Sequence, residues 1–188
     1  MNLMITHDAL RVIAQADPSK APSEVLSYGV ADSPLGKVLL ARSASGVCAI
    51  LLGDSVPALM SDLAGRFPQA MLVPSEGAVK EELVKVLQHI DKPAGSLNLA
   101  LDMRGTPFQR RVWEKLRSIP VGRTVSYTEL ARWISPLANP RAVASACAAN
   151  PIALAIPCHR VIASNGDLSG YRWDIERKRA LIVKEAAA

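Results

Sequence analysis

The sequence predicts an α/β chain in two parts, a small antiparallel sheet with helices followed by a mainly helical domain. Three observations predict it. Short β-branched or aliphatic runs separated by turn residues fill the first half. Helix starts with clear capping residues mark the second half. The charge also changes sign between them: residues 1–100 carry 8 Lys+Arg against 10 Asp+Glu, a net −2, and residues 101–188 carry 14 against 7, a net +7. Eleven of those 14 cations are arginines, the side chain best suited to bidentate phosphate contacts. One half reads as a scaffold and the other as a surface for a polyanion.

Met1 to Ser23 mixes polar residues with Pro18 and Pro22 and reads as a loosely attached extension, with a short helix in its first half. The runs Val25–Val30, Gly36–Ala41 and Gly46–Leu52 are separated by Asp32-Ser33-Pro34 and Ser43-Ala44-Ser45-Gly46, the pattern of an antiparallel meander. Apolar stripes at helical spacing (Leu59/Leu63, then Val79/Leu83/Val86/Leu87/Ile90) predict helices over Ala58–Phe67 and Ala78–Ile90. Ser96–Leu101 is a further strand candidate, so residues 24–101 form the small α/β domain and 102–188 the helical one. Thr106-Pro107 opens a helix over Phe108–Leu116, with a cap followed by proline at the first helical position. Ser126 and Glu129 have capping-box spacing for a helix over Tyr127–Ile134. Asn139-Pro140 repeats the cap-plus-proline start for Arg141–Ala149, and Asp174 caps a last helix running to about Glu185. The two helices 126–134 and 140–149, joined by a short connection, predict a helix-turn-helix.

Composition excludes several classes. A hydrophobic content of 49% over 188 residues suits a folded core. No apolar run approaches the ~18 residues of a membrane span, and the first residues lack a signal-peptide pattern, so a cytoplasmic protein is expected. Cys48, Cys147 and Cys158 form neither a CxxC nor an even framework, and His7, His89 and His159 are scattered; no disulfide and no zinc site is expected. Cys48 falls inside a predicted strand and reads as core.

The chemistry concentrates in Ile156-Pro157-Cys158-His159-Arg160-Val161. A thiol is nucleophilic as a thiolate, and cationic or proton-accepting neighbours lower its pKa towards neutrality. The bland alternative is a buried core cysteine. The helix before this segment is unusual: Ala142, Ala144, Ser145, Ala146, Ala148 and Ala149 leave it almost bare of long side chains apart from Arg141. A major-groove reader needs Arg, Asn or Gln along the helix. An Ala-rich helix suits close approach to a narrow groove read by shape, although alanine also simply favours helix.

These residues resemble the O6-alkylguanine-DNA alkyltransferases, the methylated-DNA–protein-cysteine methyltransferase family. The resemblance rests on Arg141–Asn150, on Ile156–Val161 and on Gly170-Tyr171-Arg172-Trp173, with Gly105–Gln109 and Val125-Ser126-Tyr127 also fitting. It covers roughly residues 25–186 and is nearest to the C-terminal half of bacterial adaptive-response members. Their four-cysteine zinc domain has no counterpart here, so phosphotriester repair and transcriptional activation are not implied.

The resemblance implies a ribonuclease H-like N-terminal domain and a helix-turn-helix in the minor groove of double-stranded DNA, with the damaged nucleotide flipped out. It makes Cys158 the alkyl acceptor, His159 the base that takes its proton through a water, and Glu185 the carboxylate that orients His159. Arg141 matches the arginine finger and Tyr127 the tyrosine that rotates the target phosphate and donates to the base. Ala142, Ser145 and Ala148 share the DNA-binding helix, and Asn150 matches its hinge. Val161, Tyr171, Arg172 and Trp173 match pocket positions; Arg172 and Trp173 are bulky where some relatives are small, which disfavours large lesions. Asp174 stands where near relatives tend to have glycine. A monomer without cofactor that acts once is implied, because a thioether has no good leaving group.

Each residue has a plainer reading. His159 fits a satisfied core histidine, Arg160 a structural pair with an acid or a carbonyl, Cys147 core packing as readily as pocket lining, and Tyr127 simple packing. Four other functions are weighed. A binding-only relative lacks the acceptor cysteine. A cysteine hydrolase needs a histidine from a distant segment and an oxyanion hole. A zinc deaminase needs a second cysteine three positions on and a preceding His-x-Glu. A plain helix-turn-helix regulator needs a more polar recognition helix.

Overall fold

The computed structural model describes residues 23–188, so the extension and short helix expected before Ser23 lie outside the described residues. The described residues divide into two compact units, residues 23–87 with 99–102, and residues 88–98 with 103–188.

In the first unit β1 (Glu24–Ser33), β2 (Gly36–Ser43) and β3 (Gly46–Gly53) form the expected antiparallel meander. β3 is buried except at Gly53 and β2 through its centre, and Cys48 lies in their core at 0% exposure. Helix α1 (Val56–Arg66) starts where Ser55 accepts a hydrogen bond from the Ala58 amide, with proline in its first turn. A fourth strand, β4 (Ala70–Pro74), pairs parallel to β1 at the sheet edge and was not expected from sequence. Its residues are half-exposed and end in proline, so they carry no alternation to read. Helix α2 (Glu76–Asp91) buries Val79, Leu83 and Val86 and continues into the second unit from Gln88.

The strand expected over Ser96–Leu101 does not form. Leu101 makes a single bridge to Val47, whose amide donates to the Ala100 carbonyl at 2.8 Å. This approach needs Gly46: its φ is +144°, and a Cβ there would lie 2.5 Å from the Ala100 oxygen.

The second unit is mainly helical. In α3 (Pro107–Arg117) Thr106 and Gln109 exchange hydrogen bonds in a full capping box. Trp113 of α3 is buried and donates from Nε1 to the Ala146 carbonyl at 2.8 Å. β5 (Val125–Ser126) leads directly into α4 (Tyr127–Ile134). Only half of the box expected there exists: Ser126 accepts from the Glu129 amide, while the Glu129 carboxylate turns to Arg123 at 3.4 Å. Helix α5 (Pro140–Ala148) begins at Asn139, whose Oδ1 accepts from the Arg141 amide at 2.8 Å. The chain then passes through residues 150–161, every one of them buried, including the 3-10 turn Cys158–Arg160. β6 (Val161–Ile162) pairs parallel with β5, and α6 (Ile175–Ala186) closes the unit.

Asp174 caps α6, accepting from the Glu176 amide, but with φ +87° and ψ 139°. That conformation suits glycine and strains an L side chain by about 1–3 kcal/mol, whereas glycine in place of an acidic cap costs only a few tenths. Asp174→Gly is therefore expected to raise folding free energy by about 1 kcal/mol, read as a higher urea midpoint with an unchanged slope.

Candidate active site

Cys158, His159 and Arg160 share one tight turn: the thiol meets Asn150, while His159 and Arg160 both reach Glu185. Cys158 is 5% exposed. Its Sγ faces Asn150, whose Nδ2 lies 3.3 Å away and also donates to the Ile156 carbonyl at 2.8 Å. The Asn150 Oδ1 accepts from the Ile152 amide at 2.9 Å. One fully buried amide thus fixes both ends of the loop that carries the thiol.

His159 is held by a second partner. Its Nε2 lies 2.8 Å from Glu185 Oε1 on α6. Glu185 also receives Arg160 Nε at 2.9 Å and Nη2 at 2.8 Å, and the Gly122 amide at 3.4 Å. Arg160 Nη1 donates to the Ile119 carbonyl, so Arg160 takes the structural place expected of it. Burial alone would raise the Glu185 pKa, but hydrogen bonds from His159 and Arg160 hold it down to about 2. An ionised carboxylate only accepts, so the His159 proton sits on Nε2 and leaves Nδ1 as the acceptor. Nδ1 is buried and has no hydrogen-bond partner among the described residues. Burial lowers the His159 pKa, with Glu185 opposing it, and so favours the neutral ring.

The expectation that neighbouring cations depress the thiol pKa is corrected by this geometry. Arg160 is committed to Glu185, and burial pushes Cys158 up to about 11 against the opposing pull of Asn150 and Lys178. The resting group is a thiol. Its alkylation by iodoacetamide in the free protein is therefore expected to rise about tenfold per pH unit from pH 7 upward, flattening only near pH 11. A plateau between pH 7 and 8 would show a thiolate already formed.

The other expected site residues divide by exposure. Arg141, Ala142, Ser145 and Ala148 are exposed, whereas Val143, Ala146 and Cys147 of the same helix are buried. Spacing of one, four and seven residues from Arg141 puts the exposed set on one face. Cys147 is 5% exposed, and burial raises its pKa. The Tyr127 phenol is partly buried, which pushes its pKa up to about 12 and keeps it a donor. Tyr171 meets His159 edge-on with centroids 6.4 Å apart and Trp173 at 5.2 Å. Its hydroxyl and Trp173 Nε1 are buried without partners among the described residues. Arg172 is exposed and donates from Nη1 to the Ala148 carbonyl at 3.3 Å, beside the exposed face of α5. Val161 is fully buried.

Known proteins match this arrangement. Residues 107–187 fit the family model described as 6-O-methylguanine DNA methyltransferase, DNA binding domain. A methylated-DNA–protein-cysteine methyltransferase of Mycobacterium tuberculosis is 35% identical over 161 residues, covering 86% of this chain and 93% of that protein. The chain belongs to the methylated-DNA–protein-cysteine methyltransferase family.

Another member, the bifunctional transcriptional activator/DNA repair enzyme Ada of Escherichia coli, is 48% identical over 159 residues. That match covers 85% of this chain and 45% of Ada, so the chain spans about half the length of that relative. The crystal structure of Mycobacterium tuberculosis OGT in complex with DNA is 34% identical, with a TM-score of 0.73, covering 87% of this chain and 93% of that one. The mixed α/β architecture with a mainly antiparallel sheet is thus shared with solved members of the methyltransferase family. Among the described residues, no helix is long and apolar enough to cross a membrane.

Sequence reasoning missed Lys178. It is 0% exposed on α6, and its Nζ donates to the carbonyls of Val161 at 2.6 Å and Ser169 at 2.9 Å. In sequence it is one of three consecutive cations, Arg177-Lys178-Arg179, and nothing there distinguishes the member that turns inward.

Proposed function

We propose that this chain reverses alkylation damage in double-stranded DNA by moving one alkyl group, mainly methyl, from guanine O6 to its own Cys158. O4-alkylthymine is a second substrate of the same kind. The observation that carries the reading is the buried Cys158 thiol held by Asn150, next to a histidine whose Nε2 is fixed by Glu185. Membership of a family named for this reaction supports it.

In this reading α4 and α5 form a helix-turn-helix that enters the minor groove, with the exposed Arg141, Ala142, Ser145 and Ala148 towards DNA. Arg141 fills the space left by the flipped nucleotide, and Tyr127 rotates the target phosphate. The base sits between the backbone of Val161 and the side chain of Tyr171, with Arg172 and Trp173 bounding the pocket. Asn150 is the hinge between the DNA-binding helix and the acceptor loop. The Cys158 proton passes through a water to His159 Nδ1, whose imidazolium Glu185 stabilises. Sulfur attacks the alkyl carbon in line; the S–C bond forms as the C–O6 bond breaks. The departing guanine keeps the electron pair, and a hydrogen bond from the protonated Tyr127 phenol offsets its charge. Acid–base help of this kind is worth about 10²–10⁴-fold. The thioether product is stable, so each molecule acts once and needs no cofactor. Residues 24–101 and 102–188 are read as a ribonuclease H-like domain and the alkyltransferase domain of a cytoplasmic monomer, with residues 88–98 clustering with the second.

Excess duplex containing O6-methylguanine, with no added cofactor, tests the stoichiometry. Repair is expected to stop at one lesion per protein molecule. Continued turnover would contradict a suicide reaction.

A further inference from the structure

Arg172 stands between two aromatic residues that pack on each other, Tyr171 and Trp173, with ring centroids 5.2 Å apart and buried polar atoms. Arg172 itself is exposed. Its Nη1 donates at 3.3 Å to the carbonyl of Ala148, in the last turn of α5. The last carbonyls of a helix carry its partial negative charge, and a cation beside them is favoured. α5 has no cation of its own at that end; its one basic residue is Arg141, at the second position. Arg141 and Ala148 are seven residues apart, about 10 Å along a helix and nearly two full turns. They therefore mark the two ends of one exposed face. Arg172, from a different element, brings to the far end of α5 the charge that the helix sequence lacks.

Such a charge has a use on a face that meets a polyanion. Ala142, Ser145 and Ala148 allow the helix backbone to come close to DNA, and bare C-terminal carbonyls at that distance repel phosphate. A guanidinium over the Ala148 carbonyl reverses the sign there, and its planar fork of five N–H donors matches phosphate oxygens. The backbone beneath it is fixed. Arg177 Nη1 donates to the Trp173 carbonyl at 3.2 Å, and Trp173 is 5% exposed. We propose that Arg172, beyond its place at the rim of the base pocket, binds a phosphate of the duplex at the C-terminal end of α5. A phosphate contact carries no base information, so it adds affinity for damaged and intact DNA alike. This rests on the reading above, in which that face of α5 meets DNA.

The test is the salt dependence of duplex binding, measured in the Cys158→Ala protein so that no transfer intervenes. Each phosphate neutralised adds about 0.9 to the steepness of log affinity against log salt. Adding Arg172→Gln is expected to lower that steepness by about 0.9 and to weaken binding about fivefold at about 0.15 M salt. The loss is equal for an O6-methylguanine duplex and an intact one. Arg172→Lys, which keeps the charge, recovers most of the slope. With Cys158 in place, Arg172→Gln reacts with free O6-methylguanine base, which has no phosphate, at close to the wild-type rate. An unchanged slope, or a loss confined to the damaged duplex, would overturn the proposal while leaving alkyl transfer intact. A Cys158→Ala protein that binds neither duplex would overturn both. Arg172 is exposed and water replaces its bond to Ala148, so the glutamine variant keeps the parent Tm.

Discussion

Exchange of Glu185 for glutamine is expected to remove about 3–5 kcal/mol of folding free energy and to slow alkyl transfer by about 10²–10⁴-fold. The carboxylate is 4% exposed and accepts from His159, twice from Arg160 and from Gly122. Glutamine keeps the shape but offers an amide N–H₂ where a guanidinium donor and a second N–H already point, His159 at one oxygen or Gly122 at the other. Arg160 is then a buried cation without its counter-charge, the situation in which breaking an ion pair costs most. His159 also loses the anion that stabilises its protonated form.

The pH dependence carries a definite sign. The Glu185 pKa falls from 4.5 to about 2 on folding, a difference worth about 3 kcal/mol. Its contribution is complete above pH 4.5 and is lost as pH falls through about 2. Denaturant titrations at pH 7, 4 and 3 should show wild type and Glu185→Gln converging as the medium becomes more acidic. A gap that stays constant down to pH 3 would place the effect elsewhere.

Asn150→Ala is expected to cost about 2–5 kcal/mol and to slow transfer by at least about tenfold. Two buried backbone groups, the Ile156 carbonyl and the Ile152 amide, lose the partner that Asn150 supplies, each at about 1–3 kcal/mol. The thiol loses a donor that favours its ionised form, so its pKa rises further. Asn150 is 0% exposed, which keeps water from replacing the amide. Equilibrium unfolding gives the first number, and single-turnover transfer from an O6-methylguanine duplex the second. A variant as stable as wild type would show that the loop over residues 150–158 holds itself.

Local signals made much of the helical unit legible. Thr106-Pro107, Asn139-Pro140 and Asp174 each cap a helix within a few residues of where capping chemistry puts them. The three-stranded meander was readable because its strands are short aliphatic runs between turn residues. β4 was not, because a half-exposed edge strand has no periodicity, and neither was the Leu101 bridge, which depends on Gly46 admitting a neighbouring carbonyl. At the site, the motif around Cys158 pointed to sulfur chemistry, but its electrostatics were misread. Cys-His-Arg in sequence suggests a cation beside the thiol; in three dimensions the guanidinium turns to a carboxylate 25 residues on, and burial dominates. Glu185 was identifiable only through the resemblance, and Lys178 only from its packing.

The most direct measurement of the central claim is the mass of the peptide carrying Cys158 after the protein meets an O6-methylguanine duplex. A gain of one methyl group is expected on that peptide, stoichiometric with the repaired base and absent from Cys158→Ala. Tight lesion binding with no mass gain, or a methyl group found on Cys147 instead, would contradict it.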